Sequence, residues 1–184
     1  MKSSHVKASV ACYFRYKRQF PLISFERPIK HFFKPDILII TKSRKIIEIE
    51  VKVSLSDLKN DIKKSIWHRR ERLPDLYPMP YQFYYAVPEK LKIKALEVIN
   101  GWNKENKVSG KAGLLIVQDK KKIGWDDVYV AKKAIGNNKS KKVSIKDLIT
   151  MVKNQTGTLC SCSVKIAKLE DAKLRGFFKD GGGI

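Results

Sequence analysis

The segment PDILIITKSRKIIEIEVKVSLSD, residues 35–57, holds an acid, a second acid and a lysine in the order that a metal-dependent phosphodiesterase needs. Asp36 opens the apolar run Ile37 to Ile40. Glu50-Val51-Lys52 follows fourteen residues later (50 − 36), inside a strongly alternating stretch. A β-strand repeats every two residues, so Glu48, Glu50 and Lys52 project from one face and Ile47, Ile49, Val51 and Val53 from the other. One face is core. The other is either a site of chemistry or the solvated side of an antiparallel sheet, where Glu/Lys alternation is common.

The elements that must position these residues can be read from pattern. Ser4–Arg18 reads as a first helix, with Ser3 or Ser4 as its cap, and Phe20–Arg27 as an edge strand that starts after Pro21 and is broken by Pro28. Two central strands follow, carrying Asp36 and Glu50. Leu55, Leu58, Ile62 and Ile66 then fall at helical spacing and predict one helix from Leu55 to Arg72, begun by a cap at Ser54 with Asp57 three residues on. Asp57, Asp61, Lys64 and His68 share another face of that helix. Its first turn springs directly from the strand bearing Glu50 and Lys52. Asp57 is therefore read both as a cap residue and as a partner of Lys52, with Asp61 beside it and Glu48 as an outer or solvated group. A strand over Tyr81–Val87, a helix over Pro88–Gly101 stopped by its glycine, strands over Gly113–Gln118 and Val128–Ala134, and a helix over Ser144–Lys153 complete the order. These elements predict an α/β domain with a mixed central β-sheet flanked by helices. It covers residues 1–154, and a partly flexible C-terminal extension covers residues 155–184.

The spacing of Asp36, Glu50 and Lys52 resembles the PD-(D/E)XK nuclease superfamily. The run EVKVSLSDLKNDIKK (Glu50 to Lys64) looks like the E-x-K-x-S-x-x-D-x-x-x-D pattern of its MmcB-like DNA-repair branch and of related phage-encoded nucleases. YQFYYAVPEKL, AGLLIVQD and VYVAKKA are similar to the strands that follow in that branch, while residues 66–79 are longer and more basic than its pattern. The resemblance implies a restriction-endonuclease-like core and Mg²⁺, or Mn²⁺ as a substitute. Asp36 and Glu50 would be metal ligands, joined by the upstream Glu26 and the carbonyl of Val51, and Lys52 would sit beside the attacking water. It further implies metal-dependent hydrolysis of DNA phosphodiester bonds in repair, recombination or phage DNA processing. Hard carboxylate oxygens suit such a cation. A Holliday-junction or branched-DNA resolvase, usually a homodimer, is a second reading within this class. A non-catalytic basic nucleic-acid-binding protein is a third, outside it.

Composition bears on the partner independently. The 184 residues include 39 Lys+Arg against 18 Asp+Glu, a net charge of +21. An excess of that size is a footprint for polyanions, and DNA is favoured over a membrane surface, for which no lipidation motif or long apolar run is present. Residues placed to meet phosphates are Arg15, Lys17 and Arg18 on the first helix, Lys34, and Lys63, Lys64, Arg69 and Arg70 on the second, where Trp67 offers a ring for base stacking. Against this, Trp67 can equally complete the helix core, with the arginines solvated. The three cysteines, Cys12, Cys160 and Cys162, lack the second pair that a zinc site requires. Reduced thiols and the lack of a secretory h-region imply a cytoplasmic site of action, on the nucleoid or on phage DNA.

Overall fold

In the computed structural model, residues 1–25, 35–73, 75, 79–104, 111–120 and 124–153 are described. Glu26, Lys34 and the expected extension, with Cys160 and Cys162, lie outside them. The chain divides into two units, Met1–Ser144 and Ile145–Ile184. In the second, residues 145–153 are helical.

β-Branched residues crowd each other least on a pleated strand, and the isoleucine-rich runs form one. β2 (Ile37–Ile40) and β3 (Ile46–Val51) are an antiparallel hairpin with Ile37 opposite Ile49. Its turn is closed by Thr41, whose hydroxyl accepts the Lys45 amide at 3.0 Å, with Arg44 in the left-handed region at φ 62°. β1 (Leu22–Phe25) pairs antiparallel with β2 on the outer side. From β3 the chain crosses over through α2 (Leu55–Asp61) and α3 (Ser65–Arg72) to β4 (Gln82–Pro88), which runs parallel to β3. A second crossover, α4 (Lys92–Lys104), leads to the parallel β5 (Gly113–Val117), and β6 (Val128–Lys132) returns antiparallel. The result is a six-stranded mixed sheet in sequence order, flanked by helices.

Each sheet face has its own core. On one, α1 (Ser3–Cys12) and the π-helical turn Tyr13–Lys17 cover Ile37, Ile39, Ile47, Ile49 and Val51. On the other, Leu58, Trp67, Ala95, Ile99 and Trp102 cover Phe83, Tyr85, Leu114 and Ile116. Both crossovers therefore sit on one face, as same-handed parallel connections require.

The structure corrects three expected boundaries. The Leu55–Arg72 helix is two helices, because Lys64 leaves the helical region (φ −62°, ψ 135°) and its side chain turns back toward the sheet. α4 runs through Gly101 to Lys104, since the buried Trp102 beyond it anchors the last turn against Tyr85 at 5.9 Å between rings. Ser3 and Ser4 lie within α1, and the flanking Lys2 makes no side-chain cap. Ser54 does cap α2, accepting the Asp57 amide at 3.2 Å. Among the described residues, no helix is long and apolar enough to cross a membrane.

Candidate functional site

Alternation along β3 divides its residues as the period dictates. Ile47, Ile49 and Val51 enter the core beneath α1, and Glu48, Glu50 and Lys52 face α2 and α3. That second face is not a solvated one. Glu48 is 4% exposed, and its carboxylate lies 2.6 Å from Nη2 of the equally buried Arg70. Burial raises the Glu48 pKa above its usual value, and the arginine's charge and hydrogen bond offset only part of that. Glu48 is thus a buried ion-pair partner rather than an outer or solvated group.

At the end of β3, four charges close into a ring. Lys52, 3% exposed, places Nζ 3.1 Å from Glu50 Oε2 and 2.6 Å from Asp61 Oδ1. Lys64 bridges the same two oxygens at 3.0 and 2.7 Å. Both ammonium groups thus lie within hydrogen-bonding distance of Asp61 Oδ1, and their charges add to the contact. The other Asp61 oxygen accepts the Tyr85 hydroxyl at 2.8 Å and the Trp67 indole N–H at 3.3 Å. Asp57 stands 4.0 Å from Lys52 at the rim.

Burial by itself would raise the Asp61 pKa, but the hydrogen bonds and charges of Lys52 and Lys64 outweigh it and hold the carboxyl below its ordinary value. Burial likewise works against the Lys64 ammonium, and Glu50 and Asp61 prevail, holding it above its usual range. Burial, followed by the neighbouring Asp61 charge, pushes the Tyr85 hydroxyl well up. In this ring Asp61 is an anion, Lys64 a cation and Tyr85 a neutral donor.

Asp36 reaches the same end of β3 from the other side. One residue before β2 and next to the Ile37–Ile49 pair, it accepts the Val51 amide on Oδ2 at 2.8 Å and pairs Oδ1 with Lys7 of α1 at 2.8 Å. Its carboxylate is thereby fixed one residue from Glu50 along β3. Glu50 turns instead to Lys52 and Lys64. Glu26, the expected third carboxylate, lies outside the described residues, among which no group of three or more His, Cys, Asp or Glu is placed to hold a metal ion.

The residues read as nucleic-acid contacts separate by exposure. Arg15, Lys17, Arg18, Lys63 and Arg69 are at the surface. Arg15 is steered by the carbonyls of Phe20 and Pro21 at 3.4 and 3.2 Å. Lys64 belongs to the charge ring. Trp67 and Arg70 are corrected to interior residues: Trp67 is 4% exposed, edge-on to Phe83 at 5.0 Å, and Arg70 lies over the same indole at 5.5 Å. Neither ring nor guanidinium is open to a base or a phosphate. Sequence reasoning missed Lys7 and Tyr85. No local signal marks Lys7, whereas Tyr85 had one in its parity, since β4 places it beside Glu50 in parallel register.

No protein-family model matches the chain. No curated protein matches it. A solved structure of a protein of unknown function from Silicibacter pomeroyi is similar at 16% identity, over 100% of this chain and 97% of that one, with a TM-score of 0.49.

Proposed function

We propose that this chain is a metal-dependent DNA endonuclease of the PD-(D/E)XK type, with Asp36, Glu50 and Lys52 as its working residues. The observation that carries the reading is the state of Lys52. A lysine costs several kcal/mol to bury as a cation, roughly, unless acids compensate it, and here Glu50 and Asp61 hold its ammonium at 3.1 and 2.6 Å. A buried, compensated charge beside two partly exposed acids is one form that reacting sites take, and a buried ion pair by itself adds little net stability. The net charge of +21 supplies the attraction for a polyanionic substrate.

The donor set suits magnesium or manganese. The available ligands are carboxylate oxygens, and both acids already meet cationic groups, Lys7 on Asp36 at 2.8 Å and Lys64 on Glu50 at 3.0 Å. Asp36 and Glu50 would hold the ion, with Glu26 and the Val51 carbonyl as further oxygen donors. When bound, such an ion acidifies water and offsets the charge that develops on the scissile phosphate. Lys52 adds fixed positive charge beside that phosphate and orients the attacking water. Asp61 keeps Lys52 in place, and Tyr85 and Trp67 keep Asp61 in place. The Val51 amide prevents Asp36 from swinging away from the strand end.

One observation favours a second reading, a non-catalytic basic nucleic-acid-binding protein: lysines of the chain itself neutralise both acids. A cleavage panel of labelled linear duplex, single strand, flap and four-way junction, each with Mg²⁺, Mn²⁺ or EDTA, separates the two. The nuclease reading expects metal-dependent cutting, and preference for the junction would indicate a resolvase. Glu50→Gln should lower the rate by roughly 100-fold or more while DNA affinity stays within a few-fold. Cutting by Glu50→Gln at the parental rate would remove Glu50 from the chemistry, and a chain that cuts nothing under any condition leaves the binding reading.

A further inference from the structure

On the sheet face that α1 covers, opposite Glu50 and Lys52, a cavity of about 200 Å³ lies at the start of β4. Among the described residues, four aromatic rings line it: Phe20, partly buried, and Tyr13, Phe14 and Tyr84, which are buried. Two exposed cations, Arg18 and Lys133, line it where it meets solvent. Gln82 brings an amide, both donor and acceptor, from the first residue of β4. An adjoining depression of about 520 Å³ shares Arg18 and Phe20 with the cavity and adds Lys17, Lys42, Thr41 and Ser43. Among the described residues, no acidic one lines either space.

We propose that the cavity takes an unpaired nucleobase and that the adjoining basic depression takes the phosphates flanking it. Stacking on aromatic faces alongside a cationic groove is how unpaired strands are held, because every base has a π-face and every linkage a charge. Phe20 offers the stacking face, since it is the one of these four rings that is not buried; it packs against Phe14 at 5.7 Å between centroids, and Arg18 lies over it at 6.0 Å. Tyr84 is held rigidly. Its ring lies over Gly113, its register partner, where any Cβ would overlap it, and its hydroxyl bonds the Ala134 backbone. The size is selective too. A cavity of about 200 Å³ is below the roughly 300–1,000 Å³ of sites for drug-sized ligands, so one ring system enters and a base pair does not. This inference stands apart from the nuclease reading, since a chain that binds strands here and cuts nothing would satisfy it.

The test is fluorescence anisotropy with a short labelled single-stranded DNA and the blunt duplex of the same sequence, in EDTA so that no cutting intervenes. The wild-type chain is expected to bind the single strand more tightly. Phe20→Ala removes a stacking ring, and Val130→Trp, at a half-exposed lining position on β6, fills the cavity without changing charge. Each should weaken single-strand binding by roughly 10-fold or more while duplex binding holds within about twofold. Thermal melting checks that both variants fold, and Val130→Trp carries the result if Phe20→Ala does not. A mononucleotide that competes as well as the strand would support the same base pocket with a free nucleotide as its source. Equal affinity for strand and duplex, unchanged strand binding in Val130→Trp, or competition by phenyl phosphate as strong as by a mononucleotide would each overturn the assignment.

Discussion

Asp61 shows how one buried residue can govern several others. Its carboxylate meets two ammonium groups, a phenol and an indole, although in the sequence it is only one of many polar residues on an amphipathic helix. Its depressed pKa sets the sign of a pH effect. The unfolded chain takes up a proton at Asp61 before the folded one does, so the stabilisation is present above the ordinary aspartate pKa and is lost as pH falls through the folded value. Glu48 acts in the opposite sense, because its folded pKa is raised and its contribution declines as pH rises from the ordinary glutamate range through that value. Urea titrations across the acid range should therefore show Asp61→Asn about 3 kcal/mol less stable than the parent near neutrality and the gap closing toward low pH. A gap that stays constant with pH would mean that the charge of Asp61 is not what it contributes.

Between elements, β3 and α3 are joined by a buried ion pair, Glu48 with Arg70 at 2.6 Å. Among the described residues, Nε and Nη1 of Arg70 find no hydrogen-bond partner, so the pair is only partly compensated. A half-satisfied buried pair contributes little net stability but is costly to break from one side. Arg70→Met alone should destabilise by about 3–5 kcal/mol because it strands the Glu48 carboxylate, and adding Glu48→Leu should restore most of the loss. A double-mutant cycle by chemical denaturation measures this, and a double variant as unstable as Arg70→Met would show that packing, not stranded charge, is the larger cost. The same helix explains why its neighbouring arginines differ. Arg69 and Arg70 are adjacent, yet one faces solvent and the other the sheet, because successive residues of a helix point about 100° apart.

Over the whole molecule, the +21 charge makes association with nucleic acid a matter of counterion release, so affinity should fall steeply as salt rises. Exposure decides which cations count. Arg69→Glu should weaken duplex binding and reduce the magnitude of the slope of log affinity against log salt by roughly one. An unchanged slope would take α3 out of the interface. The two sheet faces also divide the proposed work, with the acids and Lys52 at one end of β3 and the aromatic cavity beside Ile47 on the opposite face.

The order of elements, the mixed α/β architecture and the split of β3 into apolar and charged faces were all readable from the sequence, because periods of 2 and 3.6 are local properties of the backbone. Ser54 as a helix cap was readable for the same reason: its bond spans three residues. What each charge touches was not. Lys7 reaches Asp36 across 29 positions (36 − 7), Arg70 reaches Glu48 across 22, and Tyr85 reaches Asp61 across 24. The break at Lys64, the burial of Trp67 and Arg70, and the aromatic cavity assembled from the α1 segment, β3, β4, β5 and β6 likewise arose only when the crossovers laid distant segments together. Periodicity assigns a side chain to a face, but the partner it meets there is chosen by whichever distant element covers that face.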